Sequence, residues 1–363
     1  MQHSRTLLIN LSVAVGAILL TLALIEAGLR IIQQPPNNDG VPSHVLCSPC
    51  PQLYVANPKD PEISSQGLRD REIAIPKPQG ITRIVVIGDS VAWGVNVHVK
   101  DTFPKQLEKL LGKGTEVINA AVNGYTTYNQ LHFYREELTQ LEPDLVIVTF
   151  NLNDVADPSL HWNYTTESIS EIPSAAIPNQ RYHETHIIPI LESRKSDSLL
   201  EQTRLGQEVT KTINVTNITD QSGSYTTVGG NRWPTYITGE DTISIEVLTN
   251  RTSPEWQWLE NIFDELVEAV KSSGSDILIL IVPVSYQLDP GYPFIPQQQL
   301  TDYCQERSIN CLDLLPAFRN SASNDLYFNN LFGYTDIWHL TPDGHKLAAA
   351  ELENFLTVSR LSR

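Results

Sequence analysis

Three runs of aliphatic residues constrain this chain more than any other feature: Ile84-Val85-Val86-Ile87, Leu145-Val146-Ile147-Val148-Thr149-Phe150 and Ile277-Leu278-Ile279-Leu280-Ile281-Val282. A strand with one face in water alternates apolar and polar residues, whereas these runs are apolar on both faces and have to be covered on both. A shorter strand is expected over residues 116–119. Between the strands lie segments of helical character, at residues 102–111, 126–141, 256–271, 297–306 and 342–356, with Pro143 closing the second of them. Strands alternating with helices imply an α/β fold whose central parallel sheet is covered by helices on both faces. Ligands of such folds bind at the carboxyl ends of the strands.

The 363 residues exceed what one such sheet needs. Residues 6–25 are uncharged and long enough to cross a hydrocarbon core of about 30 Å. They read as a signal anchor or a cleaved signal peptide. The anchor is favoured, because the residues around Ile25-Glu26-Ala27 match a cleavage site poorly. Residues 1–32 are thus expected as an N-terminal transmembrane anchor, with the bulk of the chain outside the cytoplasm, periplasmic or extracellular. Residues 33–80, rich in Pro, Asn and Ser, read as a spacer. The core is assigned to 81–154 and 255–363, interrupted by an insertion at 155–254 with one helical candidate near 197–209. An insertion of that length is either a cap over the site or exposed surface.

The cysteines fall as two near pairs, Cys47/Cys50 and Cys304/Cys311. Two local disulfides in an oxidising compartment are the simplest reading, with free thiols and a four-cysteine metal site as alternatives. A formal charge of -17 would repel phosphate backbones and excludes a nucleic-acid footprint. There is no Gly-x-Gly-x-x-Gly after the first strand, and His183-Glu-Thr-His186 is one residue too narrow for the zinc-protease helix, so no cofactor or metal is indicated.

Acyl transfer needs a nucleophile, an imidazole base, a group that orients the base, and donors aimed at the oxyanion. Ser90 follows the first strand in Gly88-Asp89-Ser90, where the chain has to turn. Gly124 lies beyond the second strand, where a missing Cβ lets a backbone N–H approach a substrate oxygen. Asn153, in Asn151-Leu-Asn153-Asp154, follows the third strand and offers a side-chain amide. Near the C-terminus Asp336-Ile-Trp-His339 places a carboxylate three residues before an imidazole. Thr341 and Pro342 then supply the cap and first residue of the last helix. Each piece alone is commonplace, but their joint occurrence in this order is hard to obtain by chance.

These four blocks resemble those of the SGNH/GDSL hydrolase family, named after its Ser, Gly, Asn and His. The likeness covers residues 81–154 and 255–356. It implies a flavodoxin-like three-layer α/β/α fold and metal-independent ester hydrolysis. Ser90 would be the nucleophile, His339 the base and Asp336 its orienting partner. The N–H groups of Ser90 and Gly124 and the amide of Asn153 would form the oxyanion hole. One departure stands out: the family has Gly two residues before the third-block Asn, and here that residue is Asn151. The expected substrate is a carboxylic ester of a lipid, small molecule or O-acetylated carbohydrate. An extracytoplasmic polysaccharide O-acyltransferase using the same site is the nearer rival, and a non-enzymatic binding protein on the same fold the other.

Overall fold

The computed structural model describes residues 20–21, 44–46, 51–52, 54–155, 225–228, 231–234, 236–237, 243–244, 248–292, 294–323, 325–328 and 336–359. Two short strands, β1 (His44–Leu46) and β2 (Tyr54–Ala56), pair antiparallel ahead of the core. The core opens with β3 (Thr82–Ile87), a four-residue helix α1 (Ser90–Trp93), α2 (Phe103–Leu111) and β4 (Thr115–Asn119). It continues through α3 (Thr127–Phe133) and β5 (Leu145–Phe150). Two antiparallel pairs follow, β6 (Tyr225–Val228) with β7 (Asn231–Pro234), and β8 (Tyr236–Ile237) with β9 (Ile243–Ser244). The chain then forms α4 (Pro254–Ser272), β10 (Asp276–Ile281), α5 (Gln297–Arg307), β11 (Asn310–Asp313), α6 (Leu315–Arg319) and α7 (Pro342–Ser359).

The central sheet is five-stranded and all parallel, in the order β11-β10-β5-β3-β4. From β3 the chain steps outward to β4, then crosses back to β5 on the other side of β3. The crevice where the order reverses therefore lies at the carboxyl ends of β3 and β5, the position at which open α/β sheets bind ligands. Val85, Ile87, Val146, Val148, Ile279 and Ile281 pack on one face with Phe133, Trp256, Phe263 and Tyr303 of α3, α4 and α5. Ile84, Val86, Ile147, Leu278 and Leu280 are left to the opposite face, where α2 and α7 pack against one another.

Local chemistry accounts for the element ends. The Ser253 hydroxyl accepts the N–H of Trp256 and Pro254 opens α4, while the N–H of Gly344 donates to Thr341 Oγ1 at the start of α7. The segment expected as one helix over 126–141 is not uniform. After α3 it widens to a π turn at Tyr134–Leu138, tightens to a 3-10 turn at Thr139–Leu141, and ends at Glu142 in the left-handed region.

The spacer reading is corrected from about residue 51 onward: Tyr54, Leu68 and Ile73 are part of the core and Arg69 is buried. Few apolar residues at irregular spacing suffice there, because each fills a gap prepared by the sheet. β11, which pairs parallel with β10, was not expected, since Asn310 and Asp313 bracket only two apolar positions. Cys304 and Cys311 are disulfide-bonded and join α5 to β11. Cys47, Cys50, His183, His186, the helical candidate 197–209 and all but Leu20 and Thr21 of residues 6–25 lie outside the described residues. Among the described residues no helix is long and apolar enough to cross a membrane.

Candidate active site

The structure places the first sequence block at the turn between β3 and α1. Asp89 caps α1: its Oδ1 accepts the N–H of Val91 at 2.9 Å, and Gly94 ends the helix at φ +84°. Gly88 is required by close approach, because a Cβ there would sit 2.8 Å from Cβ of Thr149 on β5. Ser90, the first residue of α1, is largely buried, at 9 % exposure. The other end of α1 is held by Arg69, which donates to the carbonyls of Trp93, Gly94 and Val97 and pairs with Glu62 at 2.7 Å. No spacing rule points to Arg69.

Backbone pairing continues past β4 and draws the second block beside the first, with Val122 N–H donating to the Gly88 carbonyl at 3.1 Å. A tight turn follows, closed by Tyr125 N–H on the Val122 carbonyl at 3.1 Å, with Gly124 at φ +79°. Among the described residues, neither the N–H of Ser90 nor that of Gly124 has an acceptor. In the third block, Asn153 Nδ2 donates one hydrogen to Asp89 Oδ2 at 2.8 Å, tying the end of β5 to the turn that opens α1. Asp154 Oδ1 accepts the N–H and hydroxyl of Thr127, and its Oδ2 accepts the N–H of Asn151. The Asn151 side chain is buried, with no hydrogen-bond partner for its amide among the described residues.

Both acids of this network are fully enclosed. Burial pushes Asp89 above the usual carboxylate range, opposed by the Asn153 amide, the Val91 N–H and the charge of His339. Burial, followed by the charge of Asp89, pushes Asp154 up to about 8.

The fourth block forms a compact pair. Asp336 Oδ2 lies 2.6 Å from His339 Nδ1, while its Oδ1 accepts the N–H groups of Trp338 and His339 at 2.8 and 3.0 Å. With both oxygens engaged the carboxylate cannot swing, and the imidazole orientation is set by it. The pair belongs to the same end of the sheet: Phe328 N–H donates to the His339 carbonyl, and Ser285, just beyond β10, donates to that of Ile337. His345, one turn into α7, has a structural role: its Nδ1 accepts the Phe103 N–H at 3.1 Å and its ring stacks on Phe103.

Such an arrangement offers a hydroxyl at a helix start, an imidazole fixed by a carboxylate, and two backbone N–H groups without acceptors among the described residues, at one end of a parallel sheet. The sequence profile of the GDSL-like Lipase/Acylhydrolase family matches residues 86–347. An acetylxylan esterase of Xylanibacter ruminicola is 31% identical over 105 residues, which are 27% of this chain and 21% of that protein, so the chain spans about a fifth of the length of this curated relative. Among solved structures, the lipase/acylhydrolase from Enterococcus faecalis is 12% identical with a TM-score of 0.40, covering 77% of this chain and 97% of its own. A carbohydrate acetylesterase from Sinorhizobium meliloti is 11% identical with a TM-score of 0.38, covering 77% and 99%.

Proposed function

We propose, from the premise that this chain belongs to the GDSL-like Lipase/Acylhydrolase family, that it is a serine hydrolase cleaving carboxylic esters through an acyl-enzyme on Ser90. The observation that carries the reading is the Asp336–His339 pair, with its 2.6 Å contact to Nδ1 and both carboxylate oxygens engaged. With Nδ1–H directed at Asp336, the lone pair of the neutral ring sits on Nε2, the atom that takes the Ser90 proton. Ser90 Oγ attacks the ester carbonyl, and the resulting oxyanion is received by the N–H groups of Ser90 and Gly124 and by the second hydrogen of the Asn153 amide. In enzymes where one such donor has been removed the loss is about 3 kcal/mol. The tetrahedral intermediate expels the alcohol, protonated by His339, and water then releases the acid by the same steps in reverse.

An O-acetylated carbohydrate is the substrate class we favour, supported by the likeness to an acetylxylan esterase. We read the layers as the flavodoxin-like arrangement, the insertion at 155–254 as a cap, and the protein as held outside the cytoplasm by residues 6–25. The Cys304–Cys311 disulfide supports that placement, because such bonds persist in oxidising compartments.

The deciding test is hydrolysis of p-nitrophenyl esters, acetate through palmitate, by the purified full chain. Ser90→Ala and His339→Ala should abolish turnover in folded protein, and Asp336→Ala should cost less than the His339 change. Near-wild-type rates in either of the first two would sink the assignment. Turnover only with an added carbohydrate acceptor would move the reading to acyl transfer, and a preference for long chains would move it to lipid.

A further inference from the structure

Resting on the reading of Gly124 as an oxyanion donor, we propose that Tyr54 is a positioning residue of this site, whose hydroxyl selects the turn that aims the Gly124 N–H. The turn runs from Val122 to Tyr125, closed by the Tyr125 N–H on the Val122 carbonyl at 3.1 Å. Its third residue, Gly124, has φ +79°, while Asn123 is not among the residues with positive φ. That combination is a type II turn. Types I and II differ chiefly by a flip of the middle peptide, here the one joining Asn123 to Gly124. In a planar trans peptide the carbonyl and the following N–H point in opposite directions. The direction of the Asn123 carbonyl therefore decides the direction of the Gly124 N–H.

Tyr54 holds that carbonyl, its hydroxyl donating to Asn123 O at 3.2 Å. With the carbonyl turned toward β2, the Gly124 N–H faces the other way, where it has no acceptor among the described residues. Glycine tolerates both signs of φ, so a turn without this anchor can flip and withdraw the donor. Tyr54 is itself fixed: it is 6 % exposed, its carbonyl accepts the Tyr125 hydroxyl at 2.5 Å, and the two rings meet edge to face at 5.2 Å. A further tie runs from Asn129 Nδ2 to the Gln52 carbonyl at 3.2 Å. Tyr54 precedes the family match, which begins at residue 86. In this chain the segment before the core therefore completes a site whose chemical groups lie within it.

The test compares Tyr54→Phe with Tyr134→Phe in the full chain. Tyr134 serves as control because its hydroxyl bonds Ser273 Oγ, at 2.6 Å, just ahead of the amino end of β10. Tyr54→Phe should lower kcat on p-nitrophenyl acetate by roughly tenfold or more with KM unchanged, and slow fluorophosphonate labelling of Ser90 by a similar factor, since both reactions use the oxyanion donors. Its Tm should fall no further than that of Tyr134→Phe, which keeps full kcat. Tyr54→3-fluorotyrosine, which restores the hydroxyl, should restore kcat and guards against a folding failure of the Phe variant. Wild-type kcat in Tyr54→Phe, or an equal loss in Tyr134→Phe, overturns the inference while leaving the hydrolase reading intact. A wild-type chain that neither hydrolyses esters nor reacts with the fluorophosphonate overturns both.

Discussion

Gly124, at φ +79°, occupies backbone space in which a Cβ costs about 1 kcal/mol or more. Gly124→Ala should shift the turn toward the type without positive φ, so its effect on rate should far exceed its effect on stability. A loss of about a hundredfold in kcat is expected, matching removal of one oxyanion donor, with the urea midpoint only slightly lowered. Parallel losses in both would mean that the glycine serves packing alone. Ser90, Gly124 and Asn153 stand out in the sequence because each follows a strand with a residue type that acyl transfer can use, and Asp336 and His339 because a carboxylate and an imidazole pair just before the last helix. Tyr54 and Arg69 do not, because their roles are defined by bonds to carbonyls 69 and 25 residues away, and a carbonyl leaves no mark in a sequence.

The helix that carries Ser90 has four residues, far too few to be stable by itself. Its geometry is imposed from both ends, by the Asp89 carboxylate at the first turn and the Arg69 guanidinium at the last. Arg69→Met would take a donor from three buried carbonyls, of which Gly94 keeps the Val97 N–H and Trp93 the Asn119 amide, and would leave that of Val97 and the Glu62 carboxylate without this partner, at a cost of about 3 kcal/mol. Guanidinium chloride melts should show that loss, and an unchanged midpoint would dismiss the clamp. Other elements were readable where pattern alone decides, as in β3, β5 and β10, whose aliphatic runs admit no exposed face. β11 and the β1–β2 pair escaped notice because their stability comes from neighbours already in place: β11 adds to a finished edge, and Tyr54 of β2 leans on Tyr125.

For the molecule as a whole, buried titratable groups set the response to pH. Burial first, then the charges of Arg69 and His339, hold His345 down to about 3, and burial holds His44 down to about 4. Both rings stay neutral in the fold, whereas the unfolded chain protonates them below about 6.5. Between those limits the unfolded state binds more protons, so stability present above pH 6.5 is lost on acidification, by up to about 1.4 kcal/mol per pH unit per ring. Asp154 acts with the opposite sign. Raised to about 8, it keeps its proton in the fold after the unfolded chain has released it, so stability also falls as pH climbs toward 8. Asp89, raised by the same burial, has the same sign as Asp154, so in Tm against pH His345→Asn should remove part of the loss on acidification and Asp154→Asn part of the loss toward pH 8; slopes that stay parallel to wild type would point to other groups. At this scale the sequence disclosed the parallel sheet, since it is written in hydrophobic period. It did not disclose which polar residues are enclosed, since enclosure depends on packing across the whole chain. In the sheet β5 and β10 lie side by side, Phe150 opposite Ile281, although 125 residues lie between the end of one and the start of the other. The entropy of closing such a loop grows only with the logarithm of its length, so that doubling it costs about 0.6 kcal/mol. The frame that holds Ser90 and His339 is therefore nearly indifferent to how much chain lies between Asp154 and α4, and lineages are free to lengthen or trim that stretch without unfolding the sheet.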